Sequence, residues 1–224
     1  MTGTDGMDLR VAYKPVRHMY IRIGRDRAVR VTVPAGTPEA VWRAFVDSRR
    51  DWIERTLARF PAAPAFTWED GETHRLLGRR VVLRVRRGAP NGCVIDGDTA
   101  VMTVRSARTD RAALLAACWE RELAAVIADL IAEWAPRMGV APAGFVIRRM
   151  KSRWGSCRTA TGELAFSLEL AAKPVACIES VVVHELNHLL EGPHSPRFRA
   201  LMTRWLPDWK ERKRRLEAFP REFQ

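Results

Sequence analysis

An α+β fold is predicted for this 224-residue chain by three observations. Short period-two apolar runs, separated by turn dipeptides, occupy much of the stretch before residue 105. One long helical pattern follows from Asp110 to Met138. Beyond it come two strand-like runs, a strongly apolar helix around residues 181–190, a Gly192-Pro193 stop signal and a further helix. The 47% hydrophobic content is enough for a core in one large domain or two small ones. We expect a β-rich accessory region over 1–105, carrying one helix, and a compact α+β domain over 106–224.

In chain order, residues 10–33 read as a β-hairpin. Tyr20, Ile21 and Ile23 lead into the turn Gly24-Arg25-Asp26-Arg27, and Val29, Val31 and Val33 alternate with polar neighbours. Thr37-Pro38-Glu39 opens a helix with a cap, a proline at the first helical position and an acid in the first turn. Trp42, Phe45, Val46, Trp52, Ile53, Leu57 and Phe60 follow at helical spacing and read as core, with Pro61 and Pro64 closing the unit. A second β segment is expected as a small antiparallel sheet: Phe66-Thr67-Trp68, a turn at Asp70-Gly71, then residues 81–85, 93–95 and 101–104. Asn91-Gly92 and Asp96-Gly97-Asp98 supply its turns. His74 and His18 fall near turns or strand starts and read as ordinary polar positions.

Thr109-Asp110 caps the long helix, whose apolar face includes Leu115, Trp119, Leu123, Ile127, Leu130 and Trp134, and Gly139 is its C-cap. Phe145-Val146-Ile147 begins a strand that residues 151–157 continue. Residues 158–162 turn, and 164–168 return as the next strand. Lys173-Pro174 starts the apolar helix. Ser195-Pro196 opens the next, with Phe198, Leu201, Met202 and Trp205 facing inward. Pro207 interrupts it, and Trp209 to Ala218 forms a basic helical tail.

The apolar helix carries His184-Glu185-Leu186-Asn187-His188, an H-E-x-x-H motif. At 3.6 residues per turn, His184 and His188 stand one above the other on one face, so their imidazoles can share a metal ion. Glu185 lies roughly 100° round the helix, beside the metal without ligating it, where a general base for water belongs. A catalytic zinc usually takes a third protein ligand. Gly192-Pro193 turns the chain, and His194 arrives just after the turn. Its separation from His188 equals that of the metzincin pattern, although Glu191 stands where that pattern has its glycine. Three of the chain's five histidines thus fall between 184 and 194, among apolar neighbours that favour a buried site. Helix, strands, H-E-x-x-H helix, turn with a third ligand and helix is the order of a zincin-like domain.

Composition narrows the setting. The net charge is +12, with Lys+Arg 38 against Asp+Glu 26. Such a balance favours acidic partners, nucleic acid included. None of Cys93, Cys118, Cys157 and Cys177 stands in a C-x-x-C arrangement, so no separate zinc knuckle is indicated. There is no apolar leader and no run approaching the roughly 20 residues of a membrane span. The chain reads as a cytoplasmic protein without a membrane partner.

Over most of its length the chain resembles the YgjP-like metal-dependent hydrolases, which are related to the SprT-like and Wss-type metalloproteases. The residues that carry this are Met150-Lys151-Ser152-Arg153-Trp154-Gly155-Ser156-Cys157, the strand at 164–168, Val181-Val182-Val183-His184-Glu185-Leu186-Asn187-His188 and Pro193-His194-Ser195-Pro196-Arg197-Phe198. Arg49-Arg50-Asp51-Trp52-Ile53 and Leu76-Leu77-Gly78 fit as well. Asn187 and the Gly192-Pro193 pair depart from the family's habit without touching a ligand. The resemblance implies Zn²⁺ held by His184, His188 and His194, with Glu185 as catalytic acid/base and a protein or peptide as substrate. Trp154, Gly155, Ser156 and Cys157 are expected to run along the substrate cleft and offer an edge to an extended chain. The spacing by itself supports only metal-assisted hydrolysis. The rival expectation is a DNA-associated protein with a structural zinc site, drawn from the nine basic and three acidic residues between Arg197 and Arg221. Glu185 separates the two, because a structural zinc site has no need of a carboxylate beside it.

Overall fold

The computed structural model describes residues 7–24, 27–58, 66–150 and 152–218. Arg25, Asp26, Phe60, Pro61, Pro64, Lys151 and Arg221 lie outside the described residues. The chain divides into two compact units, one over residues 1–64 and one from residue 65 onward.

In the first unit, β1 (Leu9–Lys14), β2 (Tyr20–Ile23) and β3 (Val29–Pro34) form a sheet of order β1-β3-β2. β2 and β3 are the expected hairpin, pairing Tyr20 with Thr32 and Ile23 with Val29. β1 adds a parallel partner on the other side of β3. The expected single helix is two, α1 (Glu39–Asp47) and α2 (Arg50–Ala58). Pro38 itself is the N-cap of α1, and no side chain caps it. Trp42, Val46 and Ile53 pack with Val29, Val31 and Val33. Trp52, expected in this core, is 43% exposed: α2 is a separate helix, so the stripe begun on α1 does not continue in phase.

The second unit opens with a four-stranded sheet of β4 (Thr73–Leu76), β5 (Arg79–Arg87), β6 (Gly92–Asp96) and β7 (Thr99–Val104). Its order is β4-β5-β7-β6, with β5 and β7 parallel. The sheet is therefore mixed, not antiparallel: β7 pairs with β6 and also inserts beside β5. Residues 66–68 are not a strand. Trp68 has φ +61°, and the backbone N–H groups of Thr67 and Trp68 donate to the Glu72 carboxylate, Thr67 at 2.9 Å. Trp68 stacks on His74, their ring centroids 5.3 Å apart. His74 is thus an aromatic-packed residue only 3% exposed, while His18 is exposed.

α3 (Arg111–Met138) starts where Asp110 Oδ1 accepts the Ala113 N–H at 2.9 Å, and ends at Gly139 with φ +67°. One side of α3 packs on β6 and β7, and it also meets α4 (Val175–Asn187). Leu83, Met102, Trp119, Ile127, Phe166 and Val182 therefore share one core. The Trp119 indole N–H donates to the Arg75 carbonyl at 2.7 Å. At the β4–β5 turn, the Leu77 N–H donates to the Ala171 carbonyl at 2.6 Å. A Cβ on Gly78 would meet Pro174 Cα at 2.7 Å. This turn lies against the start of α4, so strands before residue 105 are built into the same core as the helices after it. The expected division at 105 and the structural one after residue 64 do not coincide.

β8 (Gly144–Arg148), β9 (Gly155–Arg158) and β10 (Glu163–Ser167) form the third sheet, ordered β8-β10-β9. Residues 151–157 do not continue β8. β9 is a separate strand, antiparallel to β10, while β8 is parallel to β10 on the far side. A 3-10 turn, Leu168–Ala172, leads to Pro174, the N-cap of α4. α4 ends at Asn187, with His188 as C-cap, three residues before the expected end at Leu190. His188 keeps helical φ −65°, so the i, i+4 stacking with His184 is preserved. α5 (Pro196–Trp205) and α6 (Trp209–Ala218) complete the unit. Among the described residues no helix is long and apolar enough to cross a membrane.

Candidate metal centre

Three imidazoles meet at the C-terminal end of α4. His184 and His188 come from adjacent turns, with ring centroids 4.9 Å apart. His194 arrives from the loop before α5, 4.9 Å from His184 and 4.8 Å from His188 by ring centroid. One nitrogen from each of the three lies within 4.8 Å of the others, and Nε2 of His194 is 2.9 Å from Nε2 of His184.

The loop that delivers His194 is tied at several points. Ser195 Oγ accepts the Phe198 N–H at 3.1 Å and donates to Glu191 Oε1 at 2.9 Å. Arg199 donates to the His194 carbonyl at 2.7 Å. Glu191, four residues from Ser195, is occupied with Ser195 and with Arg197 at 3.5 Å, and is not in the three-histidine cluster. The buried Asn187 amide donates to the Phe198 carbonyl at 3.1 Å, joining α4 to α5. Phe198 forms a floor: its ring centroid lies 4.7–4.8 Å from those of all three histidines.

The protonation chemistry suits a cation. Burial, with His188, His194 and Lys213 nearby, lowers the His184 pKa to about 3. Its imidazole is therefore neutral and keeps a lone pair to donate. Burial also lowers the His194 pKa, helped by His188, Lys213 and Arg199. Two ligands of one tetrahedral zinc, each about 2.0–2.1 Å from it, lie roughly 3.3 Å apart. The 2.9 Å separation and the convergence of three imidazoles fit that donor set.

Glu185 is 5% exposed. Burial raises its pKa to about 8, with Arg153 pulling the other way. A cation held by the neighbouring imidazoles would lower it further. Among the described residues its carboxyl group makes no hydrogen bond or ion pair. Its place is defined instead by Gly155 of β9, where a Cβ would stand 2.6 Å from Glu185 Oε1 and 2.8 Å from Cγ. The outer strand β9 therefore approaches α4 closely enough that only glycine leaves room for the carboxylate.

We expect Gly155→Ala to displace Glu185 and to lower any reaction that this carboxyl group assists by roughly a hundredfold, the lower range for a positioned acid/base, while metal content is unchanged. Parallel metal analysis and rate measurement check this. Wild-type activity in the alanine variant would show that Glu185 does not depend on the missing side chain.

A cavity of about 720 Å³ opens over this group. His184, Glu185, His188 and His194 line it, as do Trp154, Gly155, Ser156 and Cys157. All the residues expected at the site thus border one space. Burial and the Glu185 charge raise the Cys157 pKa, so it stands there as a thiol and not a thiolate.

Sequence reasoning missed three contributors: the Phe198 floor, the Gly155 cradle and the part played by α6. The expected basic tail is one wall of this cavity, through Trp209, Lys213 and Leu216. Arg212 anchors it there by pairing with Glu179 of α4 and with Asp208 at 2.8 Å. The local signal for Phe198 was its place one turn after His194. Nothing near Lys213 in sequence pointed to the site.

A mixed α+β unit with three clustered imidazoles that could hold a metal ion over a cavity has the build of a metallopeptidase-type hydrolase. Residues 17–219 match the model of the YgjP-like metallopeptidase domain, and the chain belongs to that family. The family implies a metal cofactor and hydrolase activity. No curated protein matches the chain.

Proposed function

We propose that the protein is a zinc-dependent metallopeptidase in which His184, His188 and His194 hold the metal and Glu185 moves the protons. One observation carries this reading: a buried carboxyl group with no hydrogen bond or ion pair among the described residues borders the same cavity as three converging imidazoles. Burying an ionisable group without a partner is costly, and such groups concentrate where chemistry is done. Zinc, when bound, supplies Lewis acidity toward the scissile carbonyl.

The chain's own residues do the rest. Glu185 accepts a proton from the attacking water and returns it to the leaving amine. β9 is the outer strand of its sheet, and its edge suits an extended substrate segment paired by main-chain hydrogen bonds. Trp154, Ser156 and Cys157 border the path of that segment, and Cys157, a protonated thiol, takes no nucleophilic part. Phe198 keeps water from the back of the imidazole cluster.

Chelation tests the reading. An unstructured protein substrate should be cleaved by the zinc-supplemented protein, cleavage should stop with chelator, and readdition of zinc should restore it. Cleavage at the same rate after complete metal removal would refute the reading.

A further inference from the structure

The cations around the cavity are not distributed like those on the rest of α6. Arg212 and Arg214 are matched by acids, the first by Glu179 and Asp208, the second by Glu211. Lys213, between them, borders the cavity instead. Arg153 precedes β9, and Arg199 stands on the first turn of α5. Both border the cavity too, and among the described residues none of these three makes an ion pair. All act electrostatically on the site: Arg153 on Glu185, Arg199 on His194, and Lys213 on His184 and His194. Among the described residues, the acids bordering the cavity are Glu185, assigned above to proton transfer, and Glu217, which has an interaction of its own. Three elements thus bring unmatched positive charge to one space. Beside Glu217, its α5–α6 wall also carries the apolar Phe198, Met202, Trp209 and Leu216.

We propose that the site takes acidic protein segments, in which Asp or Glu side chains flank the bond presented to the three imidazoles. This rests on the metallopeptidase reading for what happens to the segment, though not for how it binds. The carboxylates pair with Lys213 and Arg153 at the rim while an apolar neighbour seats on Met202 and Leu216. Complementary charge of this kind selects partners and speeds encounter. A nucleic-acid backbone is the poorer match. Phosphate binding gains from many cations along an open surface, whereas these cations stand around a cavity of about 720 Å³ that Phe198, Met202, Trp209 and Leu216 also line.

The test uses two fluorescent peptides that differ only by Glu→Gln at the flanking positions. Their binding is measured by anisotropy to the Glu185→Gln protein with zinc present, and their hydrolysis by the wild type. The acidic peptide should bind roughly five- to tenfold tighter, the range of one or two part-exposed ion pairs. That advantage should shrink with salt and disappear in protein also carrying Lys213→Glu and Arg153→Glu. Lys213→Gln with Arg153→Gln is the milder version should charge reversal impair folding. Equal binding of the two peptides, or an advantage that survives loss of both cations, overturns the inference. So does a single-stranded DNA oligonucleotide that binds more tightly than the acidic peptide and displaces it. Preferential binding with neither peptide cut would sink the metallopeptidase reading and leave this inference standing. Cutting of both peptides with equal binding would do the reverse.

Discussion

Replacing Glu185 with Gln should lower peptide hydrolysis by roughly 10²- to 10⁴-fold, the usual contribution of a positioned general acid/base, while zinc stays bound. Gln keeps the shape that fits against Gly155, so the imidazole cluster is not disturbed. A second readout separates chemistry from folding. In metal-free protein the Glu185 carboxyl holds its proton up to about pH 8, whereas in the unfolded chain it releases it near its ordinary value. The folded state therefore binds more protons between those values, and its stability falls as pH rises through that window. Gln removes this contribution, so the chelated variant should lose less stability than the chelated wild type between pH 5 and pH 8, values set roughly by the ordinary and raised pKa. Unchanged hydrolysis, measured at equal zinc content, would remove Glu185 from the mechanism.

Phe198→Ala should damage both stability and metal binding. The ring is 1% exposed and faces all three imidazoles at 4.7–4.8 Å. Emptying such a site costs about 3–5 kcal/mol, a fall in Tm on the order of 10 °C for a unit of this size. The floor also holds the histidines together, so zinc affinity should weaken beyond what the stability loss explains. Thermal unfolding with and without zinc checks both: the gap between the two Tm values should narrow in the variant. A Phe198→Leu control, which keeps most of the volume, should recover stability more than zinc affinity.

What could be read in the sequence was what depends on near neighbours. The cap at Asp110, the stop at Gly139, the Ser195-Pro196 start and the stacking of His184 on His188 all follow from spacings of a few residues. Pairing between distant strands did not. Residues 79–104 carry the turn dipeptides of a simple meander, yet β7 lies between β5 and β6, an order that no turn residue encodes. Trp68 reads as strand by its apolar neighbours, yet it has a left-handed φ and gives its N–H to the Glu72 carboxylate four residues on, a local turn that its apolar side chain masked. The site divides along the same line. His184, Glu185 and His188 come from one helix period and His194 from one turn. The Gly155 cradle exists because β9 meets α4, and Lys213 reaches the cavity because α6 packs on α4, with Leu216 in the core and Arg212 paired to Glu179. In the same way, the β4–β5 turn against Pro174 joins residues before 105 to the helical half.

The most direct test of the central claim is the zinc content of purified protein after dialysis, compared for the wild type, His194→Ala and Glu191→Ala. His194 reaches the cluster from outside α4, while Glu191, a carboxylate between His188 and His194 in sequence, is engaged with Ser195 and Arg197. The account predicts one zinc per chain in the wild type, the same in Glu191→Ala, and loss of the metal in His194→Ala. Loss of zinc from Glu191→Ala together with full retention in His194→Ala would contradict it.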